Sequence, residues 1–315
     1  MQCWQVSFLH FSLTASETNW ILQLCLGSCI ICYATMQKTL METISYLLSH
    51  PSRDAVKGER GTVLILGGSH EYTGAPYFAA MGSLRAGADL VYVFAQEEAV
   101  QSIKTLIPEA IVMTIEYREW VLRRITACAI GPGLGRIGDE TLKIISLILQ
   151  YLNSNEVPLV VDGDGLRYYN ENVFKEYKTM FLTPNINEKL KTRWIKESHC
   201  LIEKGRKDII RLENSCINVT ERGSVKRCGG QGDILVGILC AIVSLLPKKR
   251  NKEQLIACAE CACKLTRLAC RAAYKEKWTS LIASDILDKI PDVMLQYRHP
   301  KNKNTHTLGS FESGH

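Results

Sequence analysis

Short apolar runs alternate with longer stretches of helical periodicity along the chain from Gly61 onward. A run that is apolar at every position is typical of a strand buried on both faces, whereas apolar residues three and four apart indicate a helix. The runs predict strands at residues 62–66, 89–94, 127–130, 159–161, 180–182 and 200–203. Helices are predicted at residues 76–86, 139–152, 234–246 and 254–275.

This alternation is typical of a mostly parallel sheet with helices on both faces. Residues 208–219 read as two further strands joined by a turn near Glu213, Asn214 and Ser215. So short a connection joins antiparallel strands, and we expect this pair to extend one edge of the sheet. The predicted fold class is therefore α/β, doubly wound.

The composition fits a globular enzyme or binding protein. Of the 315 residues, 46% are hydrophobic and 22% are charged, which allows a large core. The net charge of +6 comes largely from the loop at 247–250 and from lysines near the C-terminus, where solvated loops explain it. We expect no nucleic-acid partner.

The 13 cysteines are dispersed through apolar runs of a long chain, which indicates a reduced intracellular protein. Cys258, Cys261 and Cys263 lack a second pair of ligands at zinc-binding spacing. We expect them to be buried helix cysteines.

The two ends of the chain differ in character from its middle. The apolar segment Ile21 to Ala34 is short for a membrane span, so no stable membrane insertion is expected. No Lys or Arg precedes Lys38, and two interpretations of residues 1–35 stay open: a targeting segment, or an extension ahead of a start at Met36 or Met41. Residues 1–40 are interpreted as an extension of unknown role, 41–295 as the domain and 296–315 as a disordered tail. A cytoplasmic location is expected, with the mitochondrion as the alternative, and a homo-oligomer stays open.

Small and polar residues follow five of the predicted strands. They are the groups Gly67 to Ser69, Gly131 to Gly135, Asp162 to Gly165, Thr183 to Asn185, and Lys204 with Gly205. Ligands of open α/β sheets bind beyond the carboxyl ends of the strands, so these loops predict a continuous cleft.

The segment Gly223 to Asp233 runs straight into an apolar helix. Gly229, Gly230 and Gly232 surround Gln231 and let several backbone N–H groups point into one concavity at the positive end of that helix. Asp233 then stands where it can take a proton from a hydroxyl that attacks a bound phosphate. The alternative is a glycine turn in which Asp233 caps the helix.

Three further positions have more than one interpretation each. Asp162 and Asp164 either orient Mg²⁺ or a hydroxyl, or form a turn. Glu188 is either a polar contact in the cleft, a ligand of a metal ion through water, or part of a helix cap. Tyr72, before a helix expected to begin at Pro76, is either a wall against a planar ring or a packed side chain.

Several motifs together resemble the ATP-dependent NAD(P)H-hydrate dehydratases, which belong to the ribokinase-like enzymes. The resemblance runs from about Lys57 to Ile290 and rests on residues 71–80, 87–91, 131–136, 182–185, 204–210 and 227–233. It implies a single ribokinase-like domain that takes the hydrated cofactors NADHX and NADPHX as substrates. ATP, with Mg²⁺, would phosphorylate the C6 hydroxyl, and loss of phosphate would regenerate NADH or NADPH.

The resemblance also implies roles for individual residues. In the catalytic step Asp233 would accept the hydroxyl proton while N–H groups of Gly230, Gln231 and Gly232 stabilise the transferring phosphate. The substrate would be bound by Gly135, Asn185, Ile186, Asn187, Glu188, Lys189, Leu190, Lys191 and Asp233. ATP would be bound by Lys204, Gly205, Arg206, Lys207, Asp208, Gly223, Ser224, Val225, Lys226, Arg227, Cys228, Gly229, Gly230, Gln231 and Gly232. No residue shows a pattern that identifies a metal ligand.

One segment departs from the family pattern. After Glu188 only about a dozen residues precede the Lys204–Gly205 strand end, and Lys189 replaces an aromatic residue of the family. A helix and part of its packing are therefore expected to be missing. This departure leaves open a pseudoenzyme that binds nucleotide without completing the reaction. A second alternative is another ribokinase-like small-molecule kinase, because a glycine cradle followed by Asp233 serves any phosphoryl transfer to an alcohol.

Overall fold

The computed structural model describes residues 54–169, 171–189 and 195–298. Within these ranges nine strands form one sheet in the order β3-β2-β1-β4-β5-β6-β7-β8-β9. The strands are β1 (Thr62–Leu66), β2 (Leu90–Ala95), β3 (Ile111–Thr114), β4 (Ala127–Ile130), β5 (Leu159–Val161), β6 (Met180–Leu182), β7 (Cys200–Glu203), β8 (Asp208–Leu212) and β9 (Ser215–Val219).

All neighbours from β3 to β7 are parallel, and β8 and β9 add an antiparallel pair at one edge. Both the doubly wound class and the antiparallel extension are thus confirmed. The sequence interpretation missed β3, an edge strand whose first residue, Ile111, is exposed.

The helices lie on both faces of the sheet. They are α1 (Gly74–Arg85), α2 (Glu97–Leu106), α3 (Glu119–Leu122), α4 (Asp139–Ser154), α5 (Asn172–Lys175), α6 (Ile186–Lys189), α7 (Gln231–Val243), α8 (Lys252–Lys277) and α9 (Ala283–Arg298). The prediction that the third helix begins at Ile234 was wrong by three residues, since α7 starts at Gln231. Likewise α1 starts at Gly74, so Pro76 is its third residue.

The chain alternates between two cores because successive side chains of a strand point to opposite faces. Val63 and Ile65 of β1 join the core beneath α1, α2, α7, α8 and α9. Leu64 and Leu66 join the core beneath α4, with Phe174 and Tyr177. Cys258, Cys261 and Cys263 are free thiols buried in the first core, as expected of structural cysteines.

Two predictions about the ends of elements change. Helix α9 continues to Arg298 and so includes the first three residues of the predicted disordered tail, while residues 299–315 lie outside the described ranges. The predicted extension at residues 1–40 lies outside them as well. Within the described part, no helix combines the length and the hydropathy that crossing a membrane requires.

Candidate active site

Three neighbouring parallel strands bring three side chains together at the carboxyl edge of the sheet. Strands β5, β6 and β7 lie side by side, and the residues that follow them are Asp162, Thr183 and Lys204. Lys204 follows Glu203 directly, and its backbone N–H donates to the carbonyl of Pro184 at 2.9 Å. The strand register therefore fixes the position of all three side chains.

Asp162 is the centre of this group. Its Oδ1 accepts hydrogen bonds from Thr183 Oγ1 at 2.7 Å and from Lys204 Nζ at 2.6 Å. The carboxylate is only 4% exposed, so it depends on these donors for the solvation that water no longer gives. Lys204 experiences two opposed effects: burial lowers its pKa, while the charge and hydrogen bond of Asp162 raise it, and the net change is a raised pKa.

The glycine-rich loop meets this group directly. Gly230 has a φ of 91°, in the left-handed region, and is the N-cap of α7. A Cβ there would lie 2.7 Å from the Cβ of Ala283 and 2.8 Å from a ring carbon of Phe78, so glycine is required for both conformation and space. A Cβ on Gly232 would lie 3.2 Å from Lys204 Nζ and 3.7 Å from Asp162 Oδ2.

The first turn of α7 thus faces the Lys204 ammonium and the Asp162 carboxylate. Backbone N–H groups in the first turn of a helix have no carbonyl partner within the helix, so those of Gln231 and Gly232 are available to an anion, while that of Asp233 bonds its own carboxylate. The side chain of Gln231 turns away, because its Nε2 donates to the carbonyl of Lys226 at 3.3 Å. The backbone alone supplies the predicted cradle.

Asp233 is the third residue of α7, and the N-cap position belongs to Gly230. Burial, as the largest cause, together with the nearby charges of Asp162 and Glu188, raises the pKa of Asp233 to about 7, against the lowering effects of Lys204 and of a hydrogen bond from its own backbone. A carboxylate with a pKa near neutrality suits proton transfer at physiological pH. The environment of Asp233 is that of a titrating group rather than that of a helix cap.

The predicted ATP-binding segments lie against each other. Arg227 Nη2 donates to the carbonyl of Gly205 at 3.2 Å, joining residues 204–208 to residues 223–232. Asp208, the last residue of the first segment, forms a largely buried pair with Arg267 of α8, with Nε–Oδ2 at 2.6 Å and Nη2–Oδ1 at 2.7 Å. The same guanidinium donates to the carbonyls of Gly205, Arg206 and Glu221.

Arg267 was missed by the sequence interpretation. It stands among other charged residues on a long amphipathic helix, and 59 residues separate it from Asp208. Its hydrogen bonds to Gly205, Arg206 and Glu221 connect residues 204–208 to the chain just before the glycine-rich loop.

The predicted substrate-binding residues divide into two groups. Asn185 caps the short helix α6, since its Oδ1 accepts from the N–H groups of Asn187 and Glu188, and Glu188 Oε2 accepts from the N–H of Asn185. The cap interpretation of Glu188 is therefore confirmed, although its charge still acts on Asp233. Leu190 and Lys191 lie outside the described residues, as does the side chain of Lys189.

Gly135 belongs to a second wall of the cleft. Its N–H donates to Asp164 Oδ2 at 2.8 Å, so Asp164 holds the loop after β4 while Asp162 faces the cradle. Ser69 packs against Gly135: a Cβ on this glycine would lie 2.9 Å from Ser69 Oγ. That hydroxyl is buried without a hydrogen-bond partner in the described chain, which fits a polar ligand in this wall.

Exposed apolar side chains flank the same cleft. Val225 and Ile186 are 82% and 74% exposed, the highest values among the large hydrophobic residues of the described chain. Tyr72 is 55% exposed beside the loop of Gly133, so the prediction of a packed tyrosine was wrong. Exposed apolar surface around a polar centre is typical of a site that binds ring systems.

Comparison with known proteins identifies the family. The family model of the NAD(P)H-hydrate dehydratases matches residues 63–292. The chain belongs to this family. A relative from Entamoeba histolytica named ATP-dependent (S)-NAD(P)H-hydrate dehydratase is 35% identical over 77% of this chain and 89% of its own length. A relative of the same name from Mus musculus is 34% identical over 74% of this chain and 78% of its own length.

Solved structures support the fold of the family. A hypothetical protein of Streptococcus mutans aligns with a TM-score of 0.69 at 20% identity, covering 82% of this chain and 98% of its own. The ADP/ATP-dependent NAD(P)H-hydrate dehydratase of Bacillus subtilis, co-crystallised with ATP and Mg²⁺, aligns with a TM-score of 0.60 at 21% identity over 80% of this chain and 96% of its own. At these identities the likeness concerns the fold.

Proposed function

We propose that the chain dehydrates NADHX and NADPHX at the expense of ATP, and that Asp233 begins the reaction. The observation that carries this proposal is the position of Asp233 in the first turn of α7, with its pKa raised to about 7, beside Lys204 and Asp162. A proton acceptor next to a phosphate cradle is the arrangement that phosphoryl transfer to an alcohol requires.

In the first step, the Asp233 carboxylate accepts the proton of the substrate C6 hydroxyl. The hydroxyl oxygen forms a bond to the γ-phosphorus of ATP, and the bond from that phosphorus to the bridging oxygen breaks to leave ADP. Backbone N–H groups of Gly230, Gln231 and Gly232 stabilise negative charge on the transferring group. Lys204, adjacent to Gly232, adds a positive charge at the same place.

In the second step, the electron pair of the ring nitrogen expels phosphate from C6. A proton leaves C5, which restores the ring double bond and yields NADH or NADPH. Phosphate leaves far more readily than hydroxide, so ATP is needed to convert the C6 hydroxyl into a good leaving group.

The nucleotide and substrate occupy different walls in this proposal. Residues 204–208 and 223–232 bind ATP, and Gly135 with residues 185–191 binds the hydrated dinucleotide. Mg²⁺ neutralises phosphate charge when ATP is bound. No cluster of three or more metal-ligating side chains occurs in the described residues, which fits an ion held mainly by phosphates and water, with Asp162 as the carboxylate beside the cradle.

The test is recovery of the 340 nm absorbance of NADH from NADHX by the purified full-length chain. We expect recovery only with ATP and Mg²⁺, and ADP in a parallel reaction determines the nucleotide preference. Consumption of ATP without absorbance recovery would favour a different kinase activity. Binding of ATP with no turnover would favour the pseudoenzyme and overturn the proposal.

Replacement of Asp233 by Asn tests its role in the same assay. Loss of the proton acceptor is expected to lower kcat by a factor on the order of 100 to 10,000 while ATP binding persists. Asp139→Asn is the matched control, because Asp139 also lies in the first turn of a helix but is exposed and distant in sequence from the cradle loops. Turnover that survives in Asp233→Asn would refute the assigned role.

A further inference from the structure

A basic cavity lies at the end of the sheet opposite the candidate active site. It has a volume of about 630 Å³ and includes Glu156, Lys178, Lys248, Lys249, Arg250 and Gln254 in its lining. Glu156 and Lys178 precede β5 and β6, whereas Asp162 and Thr183 follow the same strands. The cavity is therefore separate from the cleft around Asp233.

Three segments of chain build the cavity. They are the loop after α4, the residues before β6 and the connection between α7 and α8. The last segment includes the cationic run from Lys248 to Arg250, which the sequence explained as a solvated loop. That explanation holds for the exposed side chains of Lys248 and Lys249 but not for Arg250.

Arg250 is partly buried and fixes the shape of the cavity. Its Nε donates to the carbonyls of Pro247 and Lys248 at 3.0 and 3.1 Å, and its Nη2 donates to the carbonyl of Glu156 at 2.9 Å. Nη1 is buried and has no hydrogen-bond partner within the described residues. Three carbonyls therefore hold the guanidinium in the wall of the cavity, where it adds a fixed positive charge.

The electrostatics of the lining favour the same ligand. Four of the lining side chains are cationic, and Glu156 is the one carboxylate of the lining. Burial lowers the pKa of Arg250, and the charge of Glu156 opposes that change. Helix α8 begins at Lys252, so the positive end of a 26-residue helix adds to the field.

We propose that this cavity binds a soluble ligand with two or three linked phosphate groups. Its volume and its position between three segments of chain suit a small soluble anion. Several cations around one partly buried guanidinium match the several oxygens of a polyphosphate group. The ligand is either an inorganic polyphosphate or the phosphate portion of a nucleotide.

The test combines calorimetry with hydrogen exchange on the full-length chain at physiological ionic strength, using inorganic triphosphate as the probe. The Lys248→Ala/Lys249→Ala variant removes two cations of the cavity, and Lys104→Ala/Lys143→Ala removes two exposed lysines from α2 and α4 as a charge-matched control. Triphosphate is expected to slow exchange at residues 247–254 in the wild type and the control. In the cavity variant the affinity measured there should fall about tenfold or more.

A second titration with ADP distinguishes the two possible sources of the ligand. If ADP binds at residues 247–254 more tightly than triphosphate does, the ligand is a nucleotide. If ADP binds there more weakly, the ligand is an inorganic polyphosphate. Protection confined to residues 204–208 and 223–233 would overturn the proposal. Equal weakening in both double variants would also overturn it, because the effect would then belong to net surface charge. Binding to phosphatidylserine vesicles without binding of triphosphate would contradict it as well.

Discussion

At the scale of single residues, the candidate site depends on keeping a carboxylate partly protonated near neutral pH. Asp233 is surrounded by two other carboxylates, Asp162 and Glu188, and by one ammonium group, that of Lys204. The Lys204 ammonium is bonded to Asp162 and compensates the charge of that carboxylate. It therefore lowers the pKa of Asp233 less than an unpaired ammonium would. This competition, added to burial, is why Asp233 is suited to accept a proton.

The raised pKa of Asp233 predicts the acid limb of the pH profile. Only the ionised form can accept a proton, so kcat/KM of the free enzyme should fall tenfold per pH unit below a pH of about 7. The measurement is a profile of kcat/KM between pH 5 and pH 9 in the NADHX assay (a range of roughly two units either side of the pKa). A profile that stays flat down to the ordinary range of an aspartate would contradict the assignment.

The same shift predicts a cost in stability. The folded chain holds the Asp233 proton up to about pH 7, whereas an ordinary aspartate loses it near 3.8, so stability falls as pH rises between these values. Asp233→Asn should therefore raise the free energy of unfolding by about 1–3 kcal/mol at pH 8, with the gain vanishing towards pH 4. Denaturant unfolding at both pH values measures this. Asp139→Asn should change little at either pH, and a variant at Asp233 that is no more stable than the wild type at pH 8 would refute the prediction.

At the scale of elements, α8 positions the loop that carries the predicted ATP contacts. The Arg267 guanidinium joins Asp208, at the start of β8, to the backbone of Gly205, Arg206 and Glu221. The pair is almost wholly buried, so removing one partner leaves an unpaired charge in the interior. We therefore expect Arg267 to act as a positioning residue for the nucleotide.

Arg267→Gln is expected to weaken ATP binding about tenfold and to lower stability by about 3 kcal/mol, with kcat at saturating ATP nearly unchanged. We expect kcat to stay nearly unchanged because Asp233 and the N–H groups of the cradle belong to α7 and not to the loop that Arg267 holds. Arg271→Gln is the control, since Arg271 is exposed one turn further along α8. Calorimetry with ATP and steady-state kinetics measure the two quantities, and a fall in kcat with unchanged ATP affinity would contradict the role.

The sequence predicted elements well where burial is continuous. Strands β1, β4, β5, β6 and β7 were predicted at their observed bounds because every residue of each run is apolar or nearly so. Strand β3 and helices α2 and α9 were missed, although Ile286, Ile290 and Val293 of α9 do recur at helical spacing. Pro291 inside α9 and the exposed positions of β3 weakened those signals.

The candidate site was predictable only in part for a related reason. Loops after parallel strands converge at one edge, so Asp162, Lys204 and Asp233 were all identified from their places in the pattern. Two features depend on side-chain directions across distant segments. They are the pairing of Asp208 with Arg267 and the different contacts of Asp162 and Asp164. Periodicity contains no information about those directions.

At the scale of the whole molecule, the cleft exists only when the sheet is complete. Its walls come from Ser69 after β1, Gly135 after β4, Asp162 after β5, Lys204 after β7 and Asp233 in α7. These segments span more than half of the described chain and become neighbours through folding alone. A ligand of this cleft therefore binds the native state and not the unfolded chain.

ATP with Mg²⁺ at about one hundred times its dissociation constant should stabilise the folded state by about 2.7 kcal/mol, which raises Tm by roughly 5–10 °C for a domain of this size. Asp233→Asn should retain this shift, because its backbone cradle is unchanged, and Arg267→Gln, with about tenfold weaker binding, should lose about half of it at the same ATP concentration. Adenosine is the matched control ligand: it lacks the phosphates that Lys204 and the N–H groups of α7 are proposed to bind, so its shift should be far smaller. An equal shift with adenosine would mean that the ring rather than the phosphates is bound, and would remove the glycine-rich loop from the proposed nucleotide site.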